Sequence, residues 1–215
     1  MIGLDVLVVG LTGQTGAGKS TVSKIFEENG FVIINADLIS RKVVEKGTKC
    51  LEELTEVFSE NILNENGTLN RKLLGNIVFS DKTKLEMLNS IIYPYITSEI
   101  LEEIKKYSDD GKKLVLLDAP TLFESHSDDF CEIIISVLAN EATRKERIIN
   151  RDGLTEKQAQ DRMNCQHDAE FFAANSDFVI ENNDTIEAVT GISKEVSDKI
   201  KYYYNHLRAV EATVL

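Results

Sequence analysis

Cysteine is scarce in this chain. The three that occur, Cys50, Cys131 and Cys165, are far apart, odd in number and free of C-x-x-C spacing. That argues against a disulfide framework or a cysteine-based zinc site, and it predicts free buried thiols in a reducing compartment. His126, His167 and His206 show no metal-ligand spacing with one another or with the cysteines. No apolar run approaches the ~18 residues that cross a bilayer, and the chain opens on a core strand with no basic stretch before it, so neither a membrane span nor a secretory signal is expected. Positive charge is in deficit as well: 24 Lys and Arg against 36 Asp and Glu give a formal net charge of −12. A general binder of nucleic acid or of an anionic membrane needs a basic face, which makes both poor partners here. An anionic small-molecule substrate would have to meet a local cluster of Lys and Arg. There is no internal repeat and no low-complexity tract. What remains is a chain of 215 residues, enough for one sizeable core with an inserted subdomain.

The most informative stretch lies near the N-terminus. Val6 to Leu11 is a short apolar run rich in β-branched residues, which suits one buried strand. Gly13-Gln14-Thr15-Gly16-Ala17-Gly18-Lys19-Ser20 follows and fits G-x-x-x-x-G-K-[ST] at every fixed position. Thr21 to Phe26 then carries apolar residues at helical spacing. A strand before and a helix after make this a phosphate-binding loop. Glycines at 13, 16 and 18 let the backbone curl and bring its N–H groups close to phosphate oxygens. The helix directs its positive end at the same anion. Lys19 can reach the β- and γ-phosphates, and the Ser20 hydroxyl can ligate Mg²⁺. The motif points to a nucleoside triphosphate without saying which reaction uses it.

Asn29-Gly30 reads as a helix stop and Phe31 to Ile34 as a second strand, which ends in Asn35-Ala36-Asp37. Polar residues at the carboxyl end of such a strand are where ligands bind. Asp37 is equally suited to capping a helix over Leu38 to Glu45. Residues 38–112 lack strand signals and read as a helical insertion, with helices over Leu51 to Phe58, Arg71 to Phe79 and Lys84 to Lys106. Asn66-Gly67 and Ser80-Asp81 punctuate them, and Pro94 is expected to kink or split the last. Arg41, Lys42, Arg71 and Lys72 are candidate contacts for an anionic substrate, or else solvated surface charges. Lys113 to Asp118 is a third strand ending in a carboxylate, the pattern that places an Asp on Mg²⁺ or its water. Ile133 to Leu138 is a fourth strand. Arg144, Arg147 and Arg151 follow at steps of three and four, hence on one helix face, where guanidinium forks can grip phosphate. Asp152-Gly153 ends that helix and Thr155-Glu156 opens another to about Gln166, with Arg162 on it. The pair reads as a lid over 141–168, or as two salt-bridged surface helices, since Glu146, Asp152, Glu156 and Asp161 are interleaved. Ser176 to Ile180 is a fifth strand. The last helix shows a stripe of Ile186, Val189, Ile192, Val196, Ile200 and Tyr203 that faces a core.

Together these pieces resemble the dephospho-CoA kinase family. The resemblance runs from Leu11 to about Asn183 and rests on separated motifs in order: the loop Gly13 to Thr21; Ile34-Asn35-Ala36-Asp37 with Arg41; Leu69-Asn70-Arg71-Lys72-Leu73-Leu74 and Ile77-Val78-Phe79; Leu117-Asp118-Ala119-Pro120-Thr121-Leu122-Phe123-Glu124; Arg151-Asp152-Gly153-Leu154-Thr155 with the Arg162-to-Gln166 spacing; and Asp177-Phe178-Val179-Ile180 followed by Asn182. The chain departs from the family at Asn35, often Asp there; at Tyr93, often His; at Thr121, often Leu; and at Phe172, often Lys.

The resemblance implies an α/β P-loop kinase fold of the nucleoside and nucleotide kinase kind. It has a five-stranded parallel sheet flanked by helices, a core of 1–37 and 113–215, a helical substrate-binding insertion over 38–112 and the lid. It implies transfer of the ATP γ-phosphoryl group to the ribose 3′-hydroxyl of dephospho-CoA, by a cytoplasmic monomer or weak homo-oligomer. It makes Asp37, Lys19, Arg147 and Arg151 catalytic. Nucleotide contacts fall to Gly13, Gly16, Ala17, Gly18, Lys19, Ser20 and Thr21, and Mg²⁺ to Ser20 and Asp118. Substrate contacts fall to Asp37, Arg41, Arg71, Asp118 and Arg162. The alternatives are another small P-loop kinase, for a nucleoside or a shikimate-like alcohol, and a nucleotide-switched binding protein. The second lacks its usual N-K-x-D and D-x-x-G signals here.

Overall fold

Leu7–Gly13 forms the first strand, β1, and all seven of its residues are buried. Such burial on both faces is what a central parallel strand requires, and it explains the unbroken apolar run. In chain order the elements are β1, α1 (Lys19–Glu28), β2 (Val32–Asn35), α2 (Ala36–Lys42), α3 (Lys49–Phe58), α4 (Arg71–Val78), α5 (Lys82–Asp109), β3 (Leu114–Asp118), β4 (Ile133–Leu138), α6 (Glu141–Asp152), α7 (Glu156–Asn164), α8 (Ala169–Ala174), β5 (Phe178–Glu181) and α9 (Ile186–Val214). The computed structural model describes residues 5–78 and 81–214, with side chains as far as residue 206. Phe79 and Ser80, in the predicted helix end and its punctuation, lie outside the described residues.

The chain divides into two compact units, Met1–Ile34 with Ile104–Leu215, and Asn35–Glu103. In the first, the strands form one parallel sheet in the order β2-β3-β1-β4-β5. Leu11 pairs in register with Asp118 on one side and Ile135 on the other. The sheet order reverses about β1, so the phosphate loop leaves the central strand at the point where open α/β sheets bind their ligands. One face of the sheet is covered by α1 and α9, with Leu11, Val22, Phe26, Ile135, Ile180 and Ile200 in a shared core.

The α9 stripe differs from the expected one. Val189, Val196 and Ile200 are buried, but Ile186, Ile192 and Tyr203 are exposed, while Ser193, Ser197 and Tyr204 face inward. Val189, Ser193, Val196, Ile200 and Tyr204 advance by three or four residues and centre the buried face, which leaves Ile192 and Tyr203 on its flank. α6 and α7 carry a small core of their own, Ile148, Ala159 and Met163, with Ile149 and Leu154 packed on it.

The second unit is helical and encloses Ile39, Val44, Cys50, Leu54, Ile62, Leu74 and Ile100. Two expectations need correction here. The cap of α2 is Asn35, whose side chain accepts the Leu38 N–H at 3.0 Å. Asp37 is exposed and sits inside the first turn. β2 ends at Asn35, which is therefore the last extended residue and the one able to cap. α5 is not split by Pro94 and continues through it. Pro94 lies on the exposed side, where the carbonyl that loses its N–H partner can meet solvent.

The cysteines are all free, but only Cys50 is buried; Cys131 is half-buried and Cys165 exposed. Burial pushes the Cys50 thiol up to about 11, which keeps it protonated and unreactive. Among the described residues no helix is long and apolar enough to cross a membrane.

Candidate active site

The phosphate loop is held from outside by three elements of its own unit. Gly13, Gly16 and Gly18 all have positive φ, at 143°, 79° and 94°. A Cβ on Gly13 would come within 2.2 Å of the Val137 carbonyl oxygen on β4, and one on Gly16 within 2.7 Å of the Arg144 carbonyl oxygen on α6. At Gly18 it would come within 2.2 Å of the Asn182 side-chain nitrogen. Protein neighbours therefore require these glycines, in addition to the close approach of an anion expected from the motif. Gln14 donates its N–H to Val137 at 3.2 Å, Thr15 donates to the side-chain oxygen of Gln166 at 2.6 Å, and Ala17 donates back to Gln14 at 3.0 Å. Among the described residues no partner is found for the N–H groups of Gly16 and Gly18. Two such donors at the start of α1 are what a phosphate would satisfy, so the loop fits a nucleotide triphosphate tail.

Lys19 begins α1 and its ammonium bonds Asp118, the last residue of β3. The two side chains are only 17% and 7% exposed, so this is a desolvated ion pair. The register of β1 with β3 places Asp118 beside Leu11, just below the loop. Thus the fold brings together the lysine and the strand-end carboxylate that the sequence put 99 residues apart. Ser20 is exposed beside them.

The three arginines on α6 do not act as one stripe. Arg144 is buried, and its Nε finds no hydrogen-bond partner among the described residues. Burial also pulls its guanidinium below the usual range. It lines a cavity of about 430 Å³ with Gln14, Met163, Gln166 and His167. Arg147 turns to the phosphate loop, and one of its terminal nitrogens donates to the carbonyls of Ala17 at 3.3 Å and Asn182 at 3.1 Å, with Gly16 at 3.5 Å. Arg151 forks onto Asp152 with two bonds of 2.8 Å. Arg162, from α7, reaches the same carboxylate at 2.7 Å. The hydrogen bonds that Arg151 donates to Asp152 hold its guanidinium up, and Arg151 and then Arg162 hold the Asp152 carboxyl below its usual range. Asn140 caps α6, Gly153 ends it in a left-handed turn, and Thr155 with Gln158 forms a capping box on α7. These caps explain why both helices begin and end so sharply.

In the helical unit, Arg41 and Arg71 come together: an Arg71 terminal nitrogen donates to the Arg41 carbonyl at 3.1 Å. Partial burial, then the charge of Arg41, lowers the Arg71 guanidinium, while Glu45 opposes the shift. Two cations held side by side form the local cluster that an anionic substrate requires in so acidic a chain. Lys42 instead pairs with Glu99.

Sequence reasoning missed the parts that connect the site. Asn182 stood only as a motif match, although it is buried and donates to Ala17 at 2.8 Å. Gln166 was the end of a spacing pattern, and nothing in it signals a bond to Thr15. The helix α8 was not foreseen, though Asp168 ahead of an apolar stretch is a legible cap, accepting the Phe171 N–H at 2.8 Å. Phe172, where the resembled family often has lysine, is buried against Phe123 and Phe171, with His167 stacked on Phe171.

Comparison with known proteins shows what the chain as a whole is similar to. The family profile described as Dephospho-CoA kinase matches residues 7–188. A dephospho-CoA kinase of Listeria innocua is 40% identical over 198 residues, which is 92% of this chain and 98% of the relative. Among solved structures, a protein of Thermus thermophilus designated TT1252 superposes with a TM-score of 0.79 at 27% identity, covering 90% of this chain and 97% of its own. A dephospho-CoA kinase from Campylobacter jejuni superposes with a TM-score of 0.61 at 26% identity, covering 91% and 98%.

Proposed function

The chain belongs to the dephospho-CoA kinase family, and we propose that it transfers the γ-phosphoryl group of ATP to the ribose 3′-hydroxyl of dephospho-CoA, giving coenzyme A. The observation that supports the chemistry best is the phosphate loop that ends in the buried Lys19–Asp118 pair. The hydroxyl oxygen attacks the γ-phosphorus, the bond from phosphorus to the bridging oxygen breaks, and ADP leaves with the electron pair. Asp37 takes the hydroxyl proton. The N–H groups of Gly16 and Gly18 and the start of α1 bind the phosphates, and Lys19 carries charge to the β- and γ-oxygens. Ser20 and Asp118 would hold Mg²⁺, which neutralises charge on the phosphates when bound. Arg151 and Arg162 can exchange Asp152 for a phosphate group, because exposed ion pairs are cheap to open. Arg147, from α6, and the loop-region residues Gly13, Ala17 and Thr21 complete the nucleotide site. Arg41 and Arg71 supply positive charge for the acceptor. Most of the acceleration comes from positioning and charge stabilisation. On this reading the reaction runs in the cytoplasm, in a monomer or weak homo-oligomer, and three free thiols are in keeping with a reducing compartment.

One assay tests the reading. ADP release from Mg²⁺-ATP is measured with dephospho-CoA, with adenosine, with shikimate and with water alone. ADP should appear in step with dephospho-CoA and far more slowly otherwise. Faster release with adenosine or shikimate, or equal release with water, overturns the assignment.

A further inference from the structure

One residue that shapes the phosphate loop lies 165 positions beyond Ala17 in the chain. Asn182 follows β5 and is anchored at three points: its N–H donates to the Leu138 carbonyl at 2.8 Å, its carbonyl accepts from Arg147 at 3.1 Å, and its side-chain amide donates to the Ala17 carbonyl at 2.8 Å. Arg147 donates to that same Ala17 carbonyl from a second direction at 3.3 Å. Two donors thus hold one carbonyl on the outer side of the loop.

A trans peptide is planar, with its C=O and N–H pointing in opposite directions. Fixing the Ala17 carbonyl outward therefore fixes the Gly18 N–H inward. The left-handed φ of 94° at Gly18 sets the same plane, and the amide of Asn182 fills the space where a Cβ would stand. Among the described residues no partner takes the Gly18 N–H, so the plane presents an unspent donor to the concave side. Without the two donors the peptide could rotate, and its carbonyl oxygen would then face an anion.

We propose that Asn182 is a positioning residue for phosphoryl transfer: with Arg147 as its second support, it holds the Ala17–Gly18 peptide so that the Gly18 N–H faces the nucleotide phosphates. Arg147 then serves the reaction through the loop. The proposal rests on the nucleotide-binding part of the reading above and does not depend on which acceptor is used.

The test combines kinetics with a direct view of the peptide. The full chain is labelled with ¹⁵N-glycine and titrated with ADP and Mg²⁺, and the Gly18 amide resonance is followed in the wild type and in Asn182→Ala. Rates are measured against Mg²⁺-ATP and, separately, against dephospho-CoA. In the wild type the Gly18 resonance should move strongly on saturation. In Asn182→Ala that movement should fall to less than half, and kcat/KM for ATP should drop about 10- to 100-fold, the range for losing a hydrogen bond to a charged group. KM for dephospho-CoA should stay within about twofold of the wild-type value, as a role confined to the phosphate loop demands. A lowered melting temperature with an unchanged Gly18 response and unchanged kcat/KM means that Asn182 is only structural, and it overturns the proposal. So does a wild-type Gly18 resonance that ignores ADP. If Asn182→Ala does not fold, Arg147→Ala is read in the same way. It keeps the Asn182 bond, so a smaller loss of the Gly18 response is expected, and no loss is a refutation. Should the wild type bind ADP at Gly18 yet leave dephospho-CoA untouched, the acceptor assignment fails and the positioning role stands.

Discussion

Asp118 and Asp152 are both carboxylates held by cations, in opposite surroundings. Asp118 ends a central strand, meets Lys19 and has a side chain only 7% exposed. Asp152 ends α6, meets Arg151 and Arg162, and its cations are about half exposed. Coulomb attraction operates in both, but water competes only at the second. The buried pair behaves as a fixed part of the fold, since either ion alone would be stranded without solvent. The exposed cluster behaves as a reservoir of guanidinium groups that can change partner. The proposed reaction draws on both: a stationary charge under the phosphates and guanidinium groups free to change partner.

Substitutions at each place test that contrast. The largest effect is expected for Lys19→Ala. It leaves Asp118 buried and unpaired, which should cost about 3–5 kcal/mol of stability. It should also abolish most of the stabilisation by nucleotide, which is about 2.7 kcal/mol when Mg²⁺-ATP stands at 100 times its Kd. Thermal unfolding with and without Mg²⁺-ATP reads both. A wild type whose melting temperature ignores saturating Mg²⁺-ATP would sink the nucleotide site itself.

Asp37 sharpens the comparison, because it is exposed and no ion pair is found for it among the described residues. A loss of activity on neutralising it would not come from a broken pair. Asp37→Asn should lower kcat about 10²–10⁴-fold, roughly 3–5 kcal/mol of barrier. Stability should change by less than about 1 kcal/mol, the worth of a negative charge in a first helical turn, since Asn35 keeps the cap. Lost stability with normal turnover would make Asp37 structural and pass the role of base to Asp118.

Arg151→Ala comes next. If this guanidinium leaves Asp152 to stabilise the transferring group, kcat should fall about 10- to 100-fold with KM for ATP little changed. A rise in KM alone would mark a ground-state clamp, and no change in either would leave only the surface ion pair. The smallest effect belongs to Asp152→Asn. Arg151 and Arg162 lower the Asp152 carboxyl below its ordinary 3.8, so its stabilising contribution is present above that pH and lost as pH falls through the lower folded value. The difference in melting temperature between wild type and Asp152→Asn should therefore be small at neutral pH and vanish in acid. A difference that persists in strong acid would show that the carboxylate charge is not its source.

The contrast also marks what the sequence could reveal. Strand, loop and helix around Lys19 were legible because the glycine spacing and the apolar run are local. The five strands could be recognised by the same kind of signal, with ends displaced by a residue or two. Side-chain direction was not legible. Arg144, Arg147 and Arg151 share a helical spacing, yet one is buried, one turns to backbone carbonyls and one takes the carboxylate beside it. Periodicity gives the face of a helix, whereas the partner depends on what lies across the gap. The cap of α2 went to Asn35 because β2 ends there, a boundary that two polar candidates on either side of Ala36 leave open. Asn182 escaped notice for a related reason: an asparagine in a short polar run after a strand reads as a turn until the loop it holds is seen.

The bond from Asn182 to Ala17 spans 165 residues, and this separation has a consequence for synthesis. A ribosome adding about 5–20 residues per second needs roughly 8–30 s to travel from one partner to the other. During that interval β1 and the glycine loop already exist, but the donor that completes them has not been made. The nascent chain therefore meets ATP with a phosphate loop that still lacks one of its supports. Its phosphate loop gains this support only after β5 has been translated, and truncated chains released before that point should grip nucleotide more weakly than the full chain.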